Sequence, residues 1–488
     1  MLVRFRVTNH ASLREEQELT LVADDRHDER AEQEVPRSRH RVVPVAAIYG
    51  QNASGKSNVI DALVWMRTAV LASFQRWDPS GGVPRRPFAL RSGASLPPSG
   101  YEVEFVLDGV RYAFGFTVDD DRVLEEWLYA YPEGKPRRLY ERRGDEPVSF
   151  GRGLTGRRKV IADLLRPNSL YLSVAAAQGH DLLRTIYAWF RNDLTVATDS
   201  DFQHRLDHTV SLCLAERERG DRAPLMDLLR FADLGVGGLE IREPGEEVVD
   251  EQERVLAALR EVLGDRVKVE APLGDRVRVE HRTADGTFTL RLGEESSGTR
   301  TWIGLLGPVV TALIRGAVLC VDELDARLHP HLTDALVGMF QSPETNRRGA
   351  QLIFSTHESS LLGRNSRTEL FRDQLWFTEK DYDTGATRLF PLTEFSVRDS
   401  IENLEKRYLG GRYGAVPHFD SDLLAGLAAA SEGAAPSEGP AGSEESAGSE
   451  GPAASGKGSG GDGATGEASR PEAGEPSGTA EIPDLLRR

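Results

Sequence analysis

The run Gly50-Gln51-Asn52-Ala53-Ser54-Gly55-Lys56-Ser57 has the phosphate-binding spacing G-x-x-x-x-G-K-[ST]. Small residues let the backbone approach an anion, and the N–H groups of the loop and of a following helix cradle phosphate oxygens. In such a loop Lys56 neutralises the outer phosphates and Ser57 binds Mg2+. Far downstream, the apolar run Ala317-Val318-Leu319-Cys320-Val321 ends in Asp322-Glu323. A strand that delivers two carboxylates to a sheet edge suits Asp322 to Mg2+ and Glu323 to polarising a water. By itself, a strand followed by an acidic turn is commonplace. Glu295-Ser296-Ser297-Gly298-Thr299 offers hydroxyls at a predicted helix start, suited to a terminal phosphate, although in isolation it reads as an ordinary N-cap. Leu352-Ile353-Phe354-Ser355-Thr356-His357 is another apolar strand, carrying a histidine to the C-terminal edge where open α/β sheets bind ligands. In isolation His357 would be a structural histidine.

The elements that must position these residues are legible around them. Val42 to Tyr49 is an apolar strand leading into the glycine-rich turn, and the pattern predicts a helix from Lys56 through Ser73. Val3-Arg4-Phe5-Arg6-Val7 alternates with period two, as a strand does. Residues 101–118 read as a hairpin turning at Asp108-Gly109, followed by a strand over Glu125 to Tyr131, which together predict an antiparallel β lobe. Residues 180–264 read as mostly helical, with Phe202, Leu206 and Val210 on one face, then Leu225 to Leu234 and Val255 to Leu263. Val267 to Val279 and Thr287 to Leu292 read as strands, after which helix and strand alternate to about Pro417. The remainder, 418–488, is Gly, Ala, Ser, Pro and Glu with almost no apolar periodicity, and is expected to be a disordered tail.

Composition narrows the classes further. The net charge of −17 argues against a surface generally coated with nucleic acid; 11 acidic against 4 basic residues in 431–488 place −7 of it there and leave −10 elsewhere. Clusters at Lys135-Pro136-Arg137-Arg138 and Arg157-Arg158-Lys159 supply cations for contact with DNA or RNA, but solvated turns and helix starts explain them as well. No apolar run reaches the roughly 20 residues of a membrane helix, and the N-terminus lacks a secretory pattern, so a cytoplasmic protein with no membrane partner is expected. Cys213 and Cys320 allow at most one disulfide and read as buried reduced thiols. His329 and His331 flank Pro330 with no third ligand at useful spacing, so no transition metal is expected.

Taken in order, GQNASGKS, ESSGT, VLCVDELD and FSTH resemble the motif set of the ABC ATPases: Walker A, signature, Walker B with the following D-loop, and switch histidine. The resemblance implies an α/β fold, an ABC-type P-loop NTPase with an antiparallel β lobe and a helical insertion. It divides the chain at 1–195, 196–265, 266–417 and the tail 418–488. It implies ATP and Mg2+, with Ser57 and Asp322 on the metal and Lys56, Glu323 and His357 in catalysis. Nucleotide contacts are implied at Gly50, Asn52, Ser54, Gly55, Lys56, Ser57 and Asn58. To these the resemblance adds Ser296, Ser297, Gly298 and Thr299, and Asp325 of the D-loop. Gln178, behind the apolar run Leu170 to Ala176 read as a strand, would be the Q-loop glutamine; on residue type alone it is a polar loop residue ahead of the next helix. Because the signature of one ABC subunit closes over the phosphates of another, the resemblance also implies a homodimer or higher homo-oligomer.

More closely, the chain resembles the ABC-like ATPases of bacterial phage defence, the abortive-infection and overcoming-lysogenization-defect relatives of RecF-type and SMC-type ATPases. This rests on the opening strand, on Leu170 to Gln178, on Asp373 to Lys380 and on Asn403 to Ala415. It implies a nucleotide-dependent sensor that controls a separate effector protein, a nuclease or toxin. The chain departs from those relatives in having neither a Toprim nuclease segment after Pro417 nor coiled-coil heptads. A RecF-like DNA-binding ATPase and an ATP-stabilised scaffold with little turnover stand as alternatives.

Overall fold

Buried and half-buried residues alternate along the first strand, β1 (Leu2–Thr8), as they must where a strand shows one face to a core. From that strand the computed structural model describes residues 1–91, 97–219, 224–232, 235–241, 277–363, 366–396 and 403–416. β2 (Gln17–Thr20), β3 (Gln33–Glu34), β4 (Arg41–Val42) and β5 (Val45–Gly50) lead to helix α1 (Lys56–Ala72). Next come β6 (Ser99–Leu107), β7 (Val110–Val118), β8 (Val123–Tyr131), β9 (Arg137–Arg143) and β10 (Ser149–Phe150). They are followed by α2 (Arg158–Ala162), α3 (Tyr171–Ala177), α4 (Asp181–Asn192) and β11 (Leu194–Ala197). The chain continues through α5 (Phe202–Arg219), α6 (Pro224–Phe231), β12 (Val236–Ile241), β13 (Val277–Thr283) and β14 (Gly286–Arg291). It closes with α7 (Ser297–Arg315), β15 (Val318–Val321), α8 (Pro330–Gln341), β16 (Gln351–Ser355), β17 (Leu375–Lys380), β18 (Thr387–Pro391) and α9 (Leu404–Leu409).

Two large sheets result. One is antiparallel, in the order β10-β9-β8-β7-β6-β1-β2; the other runs β11-β15-β16-β5-β17-β18, with its first five strands parallel and β18 antiparallel. The second sheet is buried on both faces, which is why its strands read as continuous apolar runs. Along β5, Ala46 and Ile48 face the core shared with the antiparallel lobe, while Val45, Ala47 and Tyr49 face the core shared with α7 and α8. β15 divides its side chains in the same way, with Val318 and Cys320 on one face and Leu319 and Val321 on the other.

Helix α7 shows how one tertiary contact supports a sequence that resists helix formation. Pro308 lies inside it, where it can donate no backbone hydrogen bond. Just before it the Thr209 hydroxyl of α5 accepts from Gly307 N–H at 3.0 Å, and its one proton has the Ile303 and Arg205 carbonyls as acceptors, each at 3.0 Å. Gly307 is required there, since a Cβ would stand 2.7 Å from the Thr209 hydroxyl and 2.8 Å from its backbone nitrogen.

Three expectations need correction or restriction. Leu170 to Ala176 is not a strand, because Tyr171–Ala177 is helical. The reason lies on β8, where the buried Glu126 carboxylate accepts from Tyr171 N–H at 2.6 Å and Leu172 N–H at 3.0 Å and so caps the helix start. The stretch 180–264, read as mostly helical, contains two strands, β11, parallel to β15, and β12, antiparallel to β13. The expected helix Val255 to Leu263, residues 267–276 of the expected strand and the tail 418–488 lie outside the described residues.

Candidate nucleotide site

The parallel strands deliver the sequence motifs to one edge. β5 ends at Gly50, the loop Gln51 to Gly55 follows, and α1 starts at Lys56. Ala53 at φ 61° and Gly55 at φ 104° turn the loop back, and a Cβ on Gly55 would collide with the hydroxyls of Thr387 and Ser12. The helix start has no side-chain cap and no acidic residue in its first turn, so its positive dipole end is suited to an anion. Lys56 is buried and donates to the Gly50 carbonyl at 2.9 Å and the Gln51 carbonyl at 3.2 Å, which leaves one of its three N–H groups for a ligand.

A clamp of hydroxyls holds the loop in this shape. Ser54 shares a hydrogen bond with Thr378 of β17 at 2.6 Å, and the Ser54 carbonyl accepts from Thr387 of β18 at 2.7 Å. Thr387 also meets Ser12 at 2.6 Å, and the Ser12 hydroxyl accepts from the Asn58 amide at 2.7 Å. Ser54 and Asn58 therefore stabilise the loop through partners that the sequence reading did not identify. Asn52 and Ser57 are exposed at its rim.

β15 and β16 are register neighbours, pairing Val321 with Phe354, and β16 pairs Ser355 with Ile48 of β5. That order places Asp322, Glu323 and His357 beside the loop. The Ser355 hydroxyl donates to Asp322 Oδ1 at 2.6 Å and accepts from Glu323 N–H at 2.7 Å. Glu323 holds φ 51° and its side chain is exposed. The Asp325 carboxylate receives His357 N–H at 3.2 and 3.3 Å. Burial pulls the Lys56 ammonium down to about 8 against the opposing pull of Glu323, Asp322 and Asp325. Burial and the Lys56 charge likewise hold His357 below its ordinary range, against the same three carboxylates. These mutual effects show that the five groups share one electrostatic environment.

The chemistry of the donors fits Mg2+. Ser57 and Asp322 offer hard oxygen ligands, and no group of three or more His, Cys, Asp or Glu among the described residues could enclose a metal. A small ion that retains waters and shares phosphate oxygens needs no such cage.

The signature residues lie elsewhere on the chain. Ser296 caps α7 by accepting Thr299 N–H at 3.1 Å and pairs with the Thr299 hydroxyl at 2.9 Å. A Cβ on Gly298 would stand 2.7 Å from the Arg327 carbonyl, so the α7 start abuts the segment after Asp325. Ser296 and Ser297 are exposed, and the hydrogen bonds between Ser296 and Thr299 stay within their own turn. Gln178 is exposed at the C-terminal end of α3 and lines a cleft of about 340 Å3 with Gly153 to Arg157 and Gly179 to Leu182, none of them from the phosphate loop.

The model of a protein family described as "AAA domain, putative AbiEii toxin, Type IV TA system" matches residues 45–363. Among solved structures, a chain titled as the SmcHead bound to the C-winged helix domain of ScpA is 12% identical at a TM-score of 0.42, over 82% of this chain and 99% of that one. A chain of the Smc head domain with an extended coiled coil, bound to the C-terminal domain of ScpA derived from Pyrococcus furiosus, is 12% identical at a TM-score of 0.34, over 83% and 99%. No curated protein matches the chain.

Proposed function

This chain belongs to the AAA-domain family whose model spans residues 45–363, and on that premise we propose that it hydrolyses ATP at composite sites formed between two copies. The observation that carries this reading is the convergence of an uncapped helix start, Lys56, Asp322, Glu323 and His357 at one sheet edge. Loop N–H groups and Lys56 bind and orient the phosphates. Ser57 and Asp322 would hold Mg2+, which when bound neutralises charge on the phosphate oxygens. Glu323, exposed and free of side-chain partners among the described residues, orients a water and takes its proton. His357, kept neutral by burial and by Lys56, offers a ring nitrogen to the outermost phosphate without competing with Mg2+ for charge.

Ser296 to Thr299 of the second copy complete the site. The exposure of Ser296 and Ser297, and the bonding of Ser296 to Thr299 within one turn, support this placement. ATP then joins the copies, and turnover loosens them. We extend the proposal to a bacterial anti-phage switch that releases or activates a separate effector protein. No helix among the described residues is long and apolar enough to cross a membrane, and a cytoplasmic location is part of the proposal.

ATPase activity and solution mass, measured for wild type and Glu323→Gln with and without ATP and Mg2+, test this reading. The variant is expected to lose turnover by about 100-fold or more, the scale of a lost general base, while accumulating as an ATP-bound dimer. Equal rates in the two proteins would sink the catalytic assignment, and an unchanged mass would sink the composite site.

A further inference from the structure

We propose that Ser355 is a positioning residue, whose single hydroxyl ties the metal-side carboxylate of Asp322 to the backbone that aims Glu323. The inference rests on the nucleotide site described under Proposed function. Ser355 is fully buried at the C-terminal end of β16, between the strand that carries Asp322 and the strand that carries the phosphate loop. Its hydrogen bonds have an assignable direction. Glu323 N–H can only donate, so the Ser355 oxygen accepts it at 2.7 Å, and the hydroxyl proton is left for Asp322 Oδ1 at 2.6 Å.

The arrangement has two consequences. Asp322 keeps Oδ2 available for an ion, while the bond at Oδ1 fixes the plane of its carboxylate. Glu323 sits at φ 51°, a conformation that side-chain-bearing residues adopt only when their surroundings hold them there. The surroundings here are Ser355 twice over, since its hydroxyl takes Glu323 N–H and its carbonyl takes Leu324 N–H at 3.0 Å. A shift of Asp322 on taking up an ion therefore pulls on the same oxygen that sets the direction of the Glu323 side chain. Ser355 is shut off from solvent and its hydroxyl bonds Asp322 and Glu323, so the hydroxyl acts through these two residues.

The test compares full-length wild type, Ser355→Ala and Ser355→Thr by calorimetric titration with ATP, in EDTA and in Mg2+, alongside turnover. Ser355→Ala is expected to bind ATP in EDTA within about twofold of wild type. Its Mg2+-dependent gain in affinity should shrink about 10-fold, the usual scale for losing a partner of a metal ligand, and kcat should fall by a similar factor with KM little changed. Ser355→Thr restores the hydroxyl and should restore both. A Ser355→Ala protein that keeps the Mg2+ gain and kcat within twofold of wild type would overturn the proposal. So would lost affinity in EDTA, the mark of a merely structural role, or a failure of threonine to rescue. The Mg2+ gain is read without turnover. A wild type that binds ATP with Mg2+ but does not hydrolyse it therefore refutes the ATPase reading alone, while the variant still decides the role of Ser355.

Discussion

Helices α1 and α7 both begin at turns rich in glycine and serine, yet only α7 is capped by one of its own side chains. At α7 the Ser296 hydroxyl takes the Thr299 N–H, whereas α1 begins behind Gly55 with no cap. The loop before α1 is fixed by Thr378, Thr387 and Ser12 and borders Lys56 and three carboxylates. The turn before α7 exposes Ser296 and Ser297, is tied to β13 through Glu295 and His281 at 2.7 Å, and abuts the segment after Asp325. One region is thus preorganised, with donors left over for a phosphate, and the other is a finished helix start that needs a ligand brought to it. In the proposed mechanism this asymmetry makes nucleotide binding a property of one copy and hydrolysis a property of two.

The sharpest way to break this comparison is Ser297→Arg, an exposed change at the start of α7. It should leave ATP binding by one copy within about twofold while lowering hydrolysis by about 100-fold or more, the scale of lost transition-state stabilisation. Mixing it with Lys56→Ala should recover activity, because an intact loop then meets an intact signature across the pair. A mixture that stays inactive would place the signature in the same-chain site.

A smaller effect sharpens the description of the phosphate loop. Lys56 in the free protein loses its proton near pH 8, and an anionic phosphate favours the charged form, so binding takes up a proton above that pH. Affinity for ATP should therefore weaken by at most about 10-fold per pH unit as pH rises through 8 to 9. Titrations in buffers of different ionisation heat would detect the uptake; an affinity flat from pH 7 to 9 would contradict it. The least effect belongs to Ser296→Ala, which removes the α7 cap and should cost about 1 kcal/mol in chemical denaturation. Stability unchanged by that substitution would show that the cap contributes nothing net.

Much of the site was legible because strand, tight turn and helix are local patterns. The run Val45 to Ser57 states its own geometry, and the apolar strands ending at Asp322 and Ser355 state theirs. Leu170 to Ala176 shows where this stops. A short apolar run has no period that separates strand from helix, and its state was decided by Glu126, buried on another element. The hydroxyl clamp was equally hidden, since Ser54 and Thr378 are 324 positions apart. Gln178 was read from its place after a supposed strand, and its position on a separate cleft followed once that strand proved to be a helix.

The sequence by itself determined the strand–turn–helix geometry of Val45 to Ser57, the order of the motifs and the strands that end at them, because each depends on neighbours a few residues away. Tertiary structure alone decided that β16 lies between β15 and β5, and so that one serine hydroxyl joins Asp322 to Glu323. It also decided that Thr378 and Thr387 grip the loop while Ser296 to Thr299 stand apart. The physical reason is that a side chain's hydrogen-bond partners are set by which strands pair and in what register, and pairing follows from burying both faces of the sheet at once rather than from any local run of residues.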